Sequence, residues 1–120
     1  VLNEIRFKKG MALYNALKDN EHLILPEITE NSAPVFNHMP VVFKEIGTMK
    51  RVQAELWDVG IDTGRMYLKP VHHLYDLGYD MQEELFPNAL YIAERLLTLP
   101  SHPYLDDNAI EKIISVFKSI

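Results

Sequence analysis

The sequence predicts an α+β fold: a small, mainly antiparallel sheet of three or four strands, packed on one side by helices. Two patterns lead there. Apolar residues recur at helical spacing in four stretches, near 2 to 19, 48 to 59, 87 to 97 and 106 to 119, and most of these carry start or stop residues of their own. Between them lie short runs of alternating or β-rich residues bounded by Pro, Gly and Asn. At 120 residues, 48% hydrophobic and 24% charged, the chain suits one domain with a single core rather than a disordered segment.

The first helix rests on Phe7, Met11 and Tyr14 at i, i+4 and i+7, with Leu13 and Leu17 beside them and Glu4, Lys8, Lys18 and Asp19 on other faces. No good cap precedes it, Asn3 being the one poor candidate, so the chain is expected to continue something longer. After Asn20 the period changes. His22 to Pro26 reads as a short strand, Glu27 to Pro34 as a loop, and Val35 to Phe43 as a longer strand. Pro40 cannot donate to a ladder, which favours an edge or a bulge there. Thr48 is the expected cap of the second helix, with Met49, Val52, Leu56 and Val59 as its stripe and Gly60 as its left-handed stop. Trp57 suits either the core or a contact surface.

Asp62 to Lys69 reads as the next strand, and Pro70 to Met81, with Pro, Gly and paired His, as an irregular excursion of the kind that carries function. Pro87 suits the first turn of a third helix, apolar on two faces and so expected to be well buried. Thr98-Leu99-Pro100 is at most a short edge strand. Asp106 caps the last helix, whose stripe is Ile110, Ile113, Ile114 and Phe117. Tyr14, Phe43 and Phe117 fall on apolar stripes and read as core.

Composition narrows the function classes. A net charge of −5 with no basic stripe argues against a nucleic-acid partner, which needs clustered Lys and Arg. With no Cys there is no disulfide framework and no thiolate chemistry. The apolar runs are short and Val1 to Lys9 is charged throughout, so neither export nor membrane insertion is expected, and a cytoplasmic setting fits.

Several groups invite a chemical reading. His72-His73, with Asp76 and His102, is the sharpest candidate for a metal centre, since imidazole and carboxylate suit zinc or iron. Adjacent His on an extended segment point to opposite sides, however, so a polar loop pair is expected and no metal. Glu83-Glu84 reads as a solvated turn and Asp106-Asp107 as capping, while His22 and His38 read as strand residues with satisfied bonds. Gly60 and Gly64 are too sparse for a phosphate-cradling loop. No catalytic residue is assigned within the chain.

The order of short motifs is more informative. Leu25-Pro26, Gly60-Ile61, Thr63-Gly64, Tyr67, Pro70-Val71-His72, Asp76-Leu77-Gly78-Tyr79, Ala93-Glu94-Arg95, Leu99-Pro100-Ser101-His102-Pro103 and Leu105-Asp106-Asp107 follow one another across nearly the whole chain. In this the chain resembles the C-terminal small domain of the DegT/DnrJ/EryC1/StrS family, pyridoxal-phosphate-dependent aminotransferases acting on nucleotide-linked keto sugars. The resemblance implies the small-domain fold of fold-type I enzymes and residues 1–120 as one C-terminal domain. It also implies a cofactor, pyridoxal 5'-phosphate, held by a large domain absent here, with no cofactor-binding residue in this chain. A nucleotide-sugar substrate, an amino-acid donor and a homodimer follow from it as well. It puts Tyr67 and His72 in contact with substrate and helps close the active site. Met66 departs from the family's usual His. The alternative is a free-standing α+β binding or interaction domain without activity.

Overall fold

The computed structural model describes all residues, Val1–Ile120. The first helix, α1 (Leu2–Leu17), buries Gly10, Leu13 and Leu17. That line is one position away from the expected stripe: Phe7 is more than a third exposed and meets the Phe36 ring at 6.5 Å. Two strands follow, β1 (Leu23–Ile24) and β2 (Met39–Phe43), then α2 (Ile46–Asp58), the single turn α3 (Val71–Leu74), α4 (Pro87–Arg95), β3 (Leu96–Leu99) and α5 (Asp107–Lys118).

The sheet is antiparallel, in the order β1-β2-β3. Met39, Val41, Phe43, Leu97, Leu99 and Leu23 share its core face, opposed by Leu13 and Leu17 of α1, Met49, Val52 and Leu56 of α2, and Ile110, Ile113 and Phe117 of α5. Phe43 and Phe117 are fully buried and stack at 5.8 Å between ring centroids. Each such side chain contributes about 1.5–3 kcal/mol through burial. Lys9 of α1 donates through Nζ to the carbonyls of Pro103 and Leu105, tying the first helix to the segment that leads into the last.

Pro40 does not lie at an edge; it sits on the central strand. The hydrogen bonds explain why it is tolerated. Thr98, its partner across β3, exchanges both backbone bonds with Gly64 on the other side (3.0 and 2.8 Å), so the Pro40 nitrogen faces away from β3. On that side β1 pairs only as far as Ile24 with Val42, and Pro40 is left beyond its end. The longer strand expected from Val35 is cut short because Phe36 has φ +52, a left-handed backbone that ends the extended run.

Asp62 to Lys69 makes one bridge, Gly64 to Thr98, in place of a strand. Beyond it, Arg65 turns its guanidinium onto the carbonyls of Ala93 (2.9 Å) and Leu96 (3.0 Å), where α4 ends and stands in the way of further pairing. The helix expected to reach residue 97 stops at Arg95, and the chain passes straight into β3, which is buried at every position and lies between β2 and Gly64 rather than at an edge. The second helix starts at Ile46, with Glu45 as its extended cap residue, so Thr48 lies inside the first turn and caps nothing. Gly60 (φ +83), Pro87 in the first turn and Asp106, which accepts from the Ala109 amide at 2.7 Å, do what their residue types imply. Contrary to expectation, α4 is not well buried: Ala93 is its one buried residue and Ile92 is half-exposed.

Candidate functional site

The exposed side of α4 forms one wall of a cleft of about 520 Å³. Ala89, Ile92 and Ala93 supply that wall, Leu77, Tyr79 and Phe86 a second, and Tyr67, Lys69, Pro70, Val71 and His72 the third. Tyr67 and His72, the two residues singled out from the sequence, therefore face the same space. They differ in how they are held. Tyr67 is 57% exposed, while His72 is buried. Tyr67 precedes Pro70, whose extended backbone (φ −65, ψ 154) leads into α3. Met66 faces the opposite way, into a separate cleft of about 500 Å³ with Pro40, Leu96 and Thr98.

The residues from Val71 to Leu74 are one helical turn, not an extended segment, and this overturns the premise that His72 and His73 point apart. Their rings meet edge to face at 4.4 Å, and both Nε2 atoms reach Glu84: His72 to Oε1 and His73 to Oε2, each at 2.5 Å. An ionised carboxylate only accepts, so both imidazoles carry their proton on Nε2 in this arrangement. Glu84 Oε1 also accepts from the Phe86 amide at 2.9 Å. That backbone bond, followed by the two imidazole bonds, outweighs burial and lowers its pKa from 4.5 to about 2. Glu84 is thus no solvated turn residue, although Glu83 is exposed.

Aromatic rings continue the packing. Phe86 meets His72 at 4.8 Å and Tyr79 meets Phe86 at 5.1 Å, both edge to face. These contacts position the second wall and fix the His72 ring, which lines the cleft while Nε2 stays with Glu84. Asp76 is occupied locally, accepting from the Gly78 amide at 2.9 Å in a turn that Gly78 completes at φ +84. His102 lies elsewhere, in a polar cleft of about 620 Å³ with Arg6, His38 and Asp62. Sequence reasoning missed Glu84, Tyr79 and Phe86 as site residues. The Asp76-Leu77-Gly78-Tyr79 motif pointed near Tyr79, whereas nothing local marks Glu84, which matters only once the chain has turned back.

Nothing within these residues makes a cradle for pyridoxal phosphate. Lys69, the lysine at the cleft, is exposed, and no glycine-rich turn opens a helix. The cleft offers apolar walls, the Tyr67 hydroxyl and the His72 ring, which suit recognition of a ligand and exclusion of water.

A family model described as the DegT/DnrJ/EryC1/StrS aminotransferase family matches residues 2–118. The chain belongs to that family. Among solved structures, this DegT-family chain is similar to a DegT DnrJ EryC1 StrS aminotransferase from Brucella abortus, with 26% identity and a TM-score of 0.78 over 98% of the chain. It is also similar in fold to S. venezuelae DesV, solved in complex with a ketimine intermediate (24% identity, TM-score 0.82, 98% of the chain). Helicobacter pylori PseC, an aminotransferase involved in the biosynthesis of pseudoaminic acid, shares the fold at 18% identity and a TM-score of 0.72 over 99% of the chain. The chain spans only 30%, 31% and 33% of those three proteins. No curated protein matches it. No helix is long and apolar enough to cross a membrane.

Proposed function

We propose that the whole protein is a pyridoxal-phosphate-dependent aminotransferase that moves an amino group from an amino-acid donor, commonly glutamate, to a nucleotide-linked keto sugar. In this reading the 120 residues are its C-terminal small domain, and the cofactor is held by the remainder of the protein. The observation that carries it is the meeting of Tyr67 and His72 in one cleft, although four residues, Pro70 among them, separate the two in sequence. Family membership and the fraction of the relatives' length that the chain covers support the same reading.

When bound, the cofactor supplies an electron sink for the transfer. This chain's own residues bind and shield. Tyr67 offers its hydroxyl to a sugar or phosphate oxygen, and the His72 ring, held by Glu84 and Phe86, packs beside the substrate. The apolar walls from Ile92, Ala93 and Leu77 exclude water as the domain closes. Exposed Trp57, Leu68, Val71, Leu74 and Tyr75 give it an apolar surface for docking against the rest of a cytoplasmic homodimer.

The test is an assay of the whole protein with pyridoxal phosphate, glutamate and a panel of nucleotide-linked keto sugars, with product read by mass spectrometry. An amino sugar formed in step with 2-oxoglutarate is the expected result. No amino sugar from any acceptor or donor, in a protein that retains no cofactor, would favour a binding domain instead.

A further inference from the structure

We propose that His72, His73 and Glu84 form a site for a divalent transition-metal ion of the zinc class, which clamps the segment from Pro70 to Phe86 against the cleft wall. Glu84 lies 12 and 11 positions after the two imidazoles it meets, so an ion held by all three closes a loop of that length. Little regular structure holds that segment. A single turn does not persist as helix through its own bonds, and residues 75 to 86 form neither helix nor strand.

The geometry is close to a coordination sphere. The donor atoms of the three side chains all lie within 4.8 Å of one another. A tetrahedral ion with bonds of about 2.1 Å sets its ligands roughly 3.4 Å apart, so side-chain shifts of about an ångström admit it. The His72 side chain is 4% exposed and rigidly placed, while His73 and Glu84, at 26% and 22%, remain reachable from solvent and give an ion its way in. The Phe86 amide, bonded to Glu84 Oε1, orients the carboxylate from behind, as outer partners of metal ligands do.

The donor set selects the class of ion. Two imidazole nitrogens and one carboxylate suit zinc and its neighbours, whereas calcium and magnesium call for oxygen throughout. Three protein ligands leave a fourth position for water. On binding, each Nε2 lone pair goes to the metal, and the proton it carried moves to Nδ1 or to solvent. None of this depends on the aminotransferase reading, and the readouts below are independent of activity.

The experiment uses the intact protein without an affinity tag, stripped by a chelator and titrated with Zn²⁺ by calorimetry, together with amide hydrogen exchange over residues 71 to 86. One ion per chain is expected at this site, with slower exchange in that segment, and no such protection from Ca²⁺. His73→Ala and Glu84→Gln should each remove that ion or weaken it by more than tenfold, since even outer-shell partners of metal ligands are worth about 10- to 100-fold. His73 lies at the surface, so His73→Ala tests the site even where Glu84→Gln disturbs the loop. Absence of Zn²⁺ binding, equal binding by wild type and both variants, or unchanged exchange over residues 71 to 86 would each overturn the proposal.

Discussion

Gly10 stands in the middle of α1 because there is no room for anything larger. A Cβ added there would lie 2.2 Å from Cγ and 2.7 Å from Cβ of Phe36, and the root of that side chain cannot swing aside. Phe36 is itself held at φ +52, with its carbonyl accepting from Ser101 Oγ at 2.6 Å. Gly10→Ala should therefore destabilise the fold by about 1–3 kcal/mol through overpacking, reversing the gain of about 1 kcal/mol that helix propensity alone would give. A lowered urea midpoint checks this, and an unchanged or raised one contradicts it. At Glu84 the expected effect is one of pH. Its folded pKa, about 2, lies below the ordinary 4.5, so its stabilising contribution is complete above about 4.5 and is lost as pH falls from there through 2. With a chelator present, the stability gap between wild type and Glu84→Gln should shrink over that window; a gap that stays constant on acidification contradicts the account. Tyr67 and His72 are singled out by the order of motifs around them, and both line the cleft. Glu84 is not, because its role depends on a chain reversal that no local pattern encodes.

At the scale of elements, the signals that worked were those acting within one turn of backbone. Gly60 stops α2, Pro87 starts α4, and Asp106 caps α5 through the Ala109 amide. Asp106→Ala should cost about 1 kcal/mol, read as a drop in the unfolding midpoint, with Asp106→Ser recovering most of it. A loss below a few tenths would mean that the cap contributes nothing here. What failed were inferences about ladders. Pro40 occupies a central strand because β1 ends before reaching it, and the segment after Gly64 makes one bridge because Arg65 is drawn to the carbonyls ending α4. Partners 28 to 34 residues away decide the second of these outcomes. The period of α1 gave a helix but placed its buried line one position off, since Phe7 and Met11 are as apolar as the residues that face the sheet. In α4, two apolar faces suggested burial, whereas one of them is the cleft wall.

Over the whole molecule, the core side and the cleft side differ in how they are finished. Α tightly packed cluster joins α1, α2 and α5 to the sheet, yet from Met66 to Phe86 large apolar side chains stand exposed one after another, Leu68 at 69% and Tyr75 at 67% among them. A surface of that kind calls for a covering partner. The chain spans 30–33% of the length of the relatives it matches, and in the proposed reading the rest of a longer protein covers this surface. The fold class and the family were legible because many short motifs keep their order; the shape of the cleft was not, since it needs α4, the turn at Gly78 and α3 brought together. The proposed contact between this cleft and a sugar substrate is tested most directly by the steady-state kinetics of Tyr67→Phe in the whole protein. Loss of one hydrogen bond of about 1 kcal/mol should raise KM for the nucleotide-linked keto sugar about fivefold while leaving KM for the amino donor within about twofold. An unchanged KM for the sugar, in a folded and active variant, would contradict it.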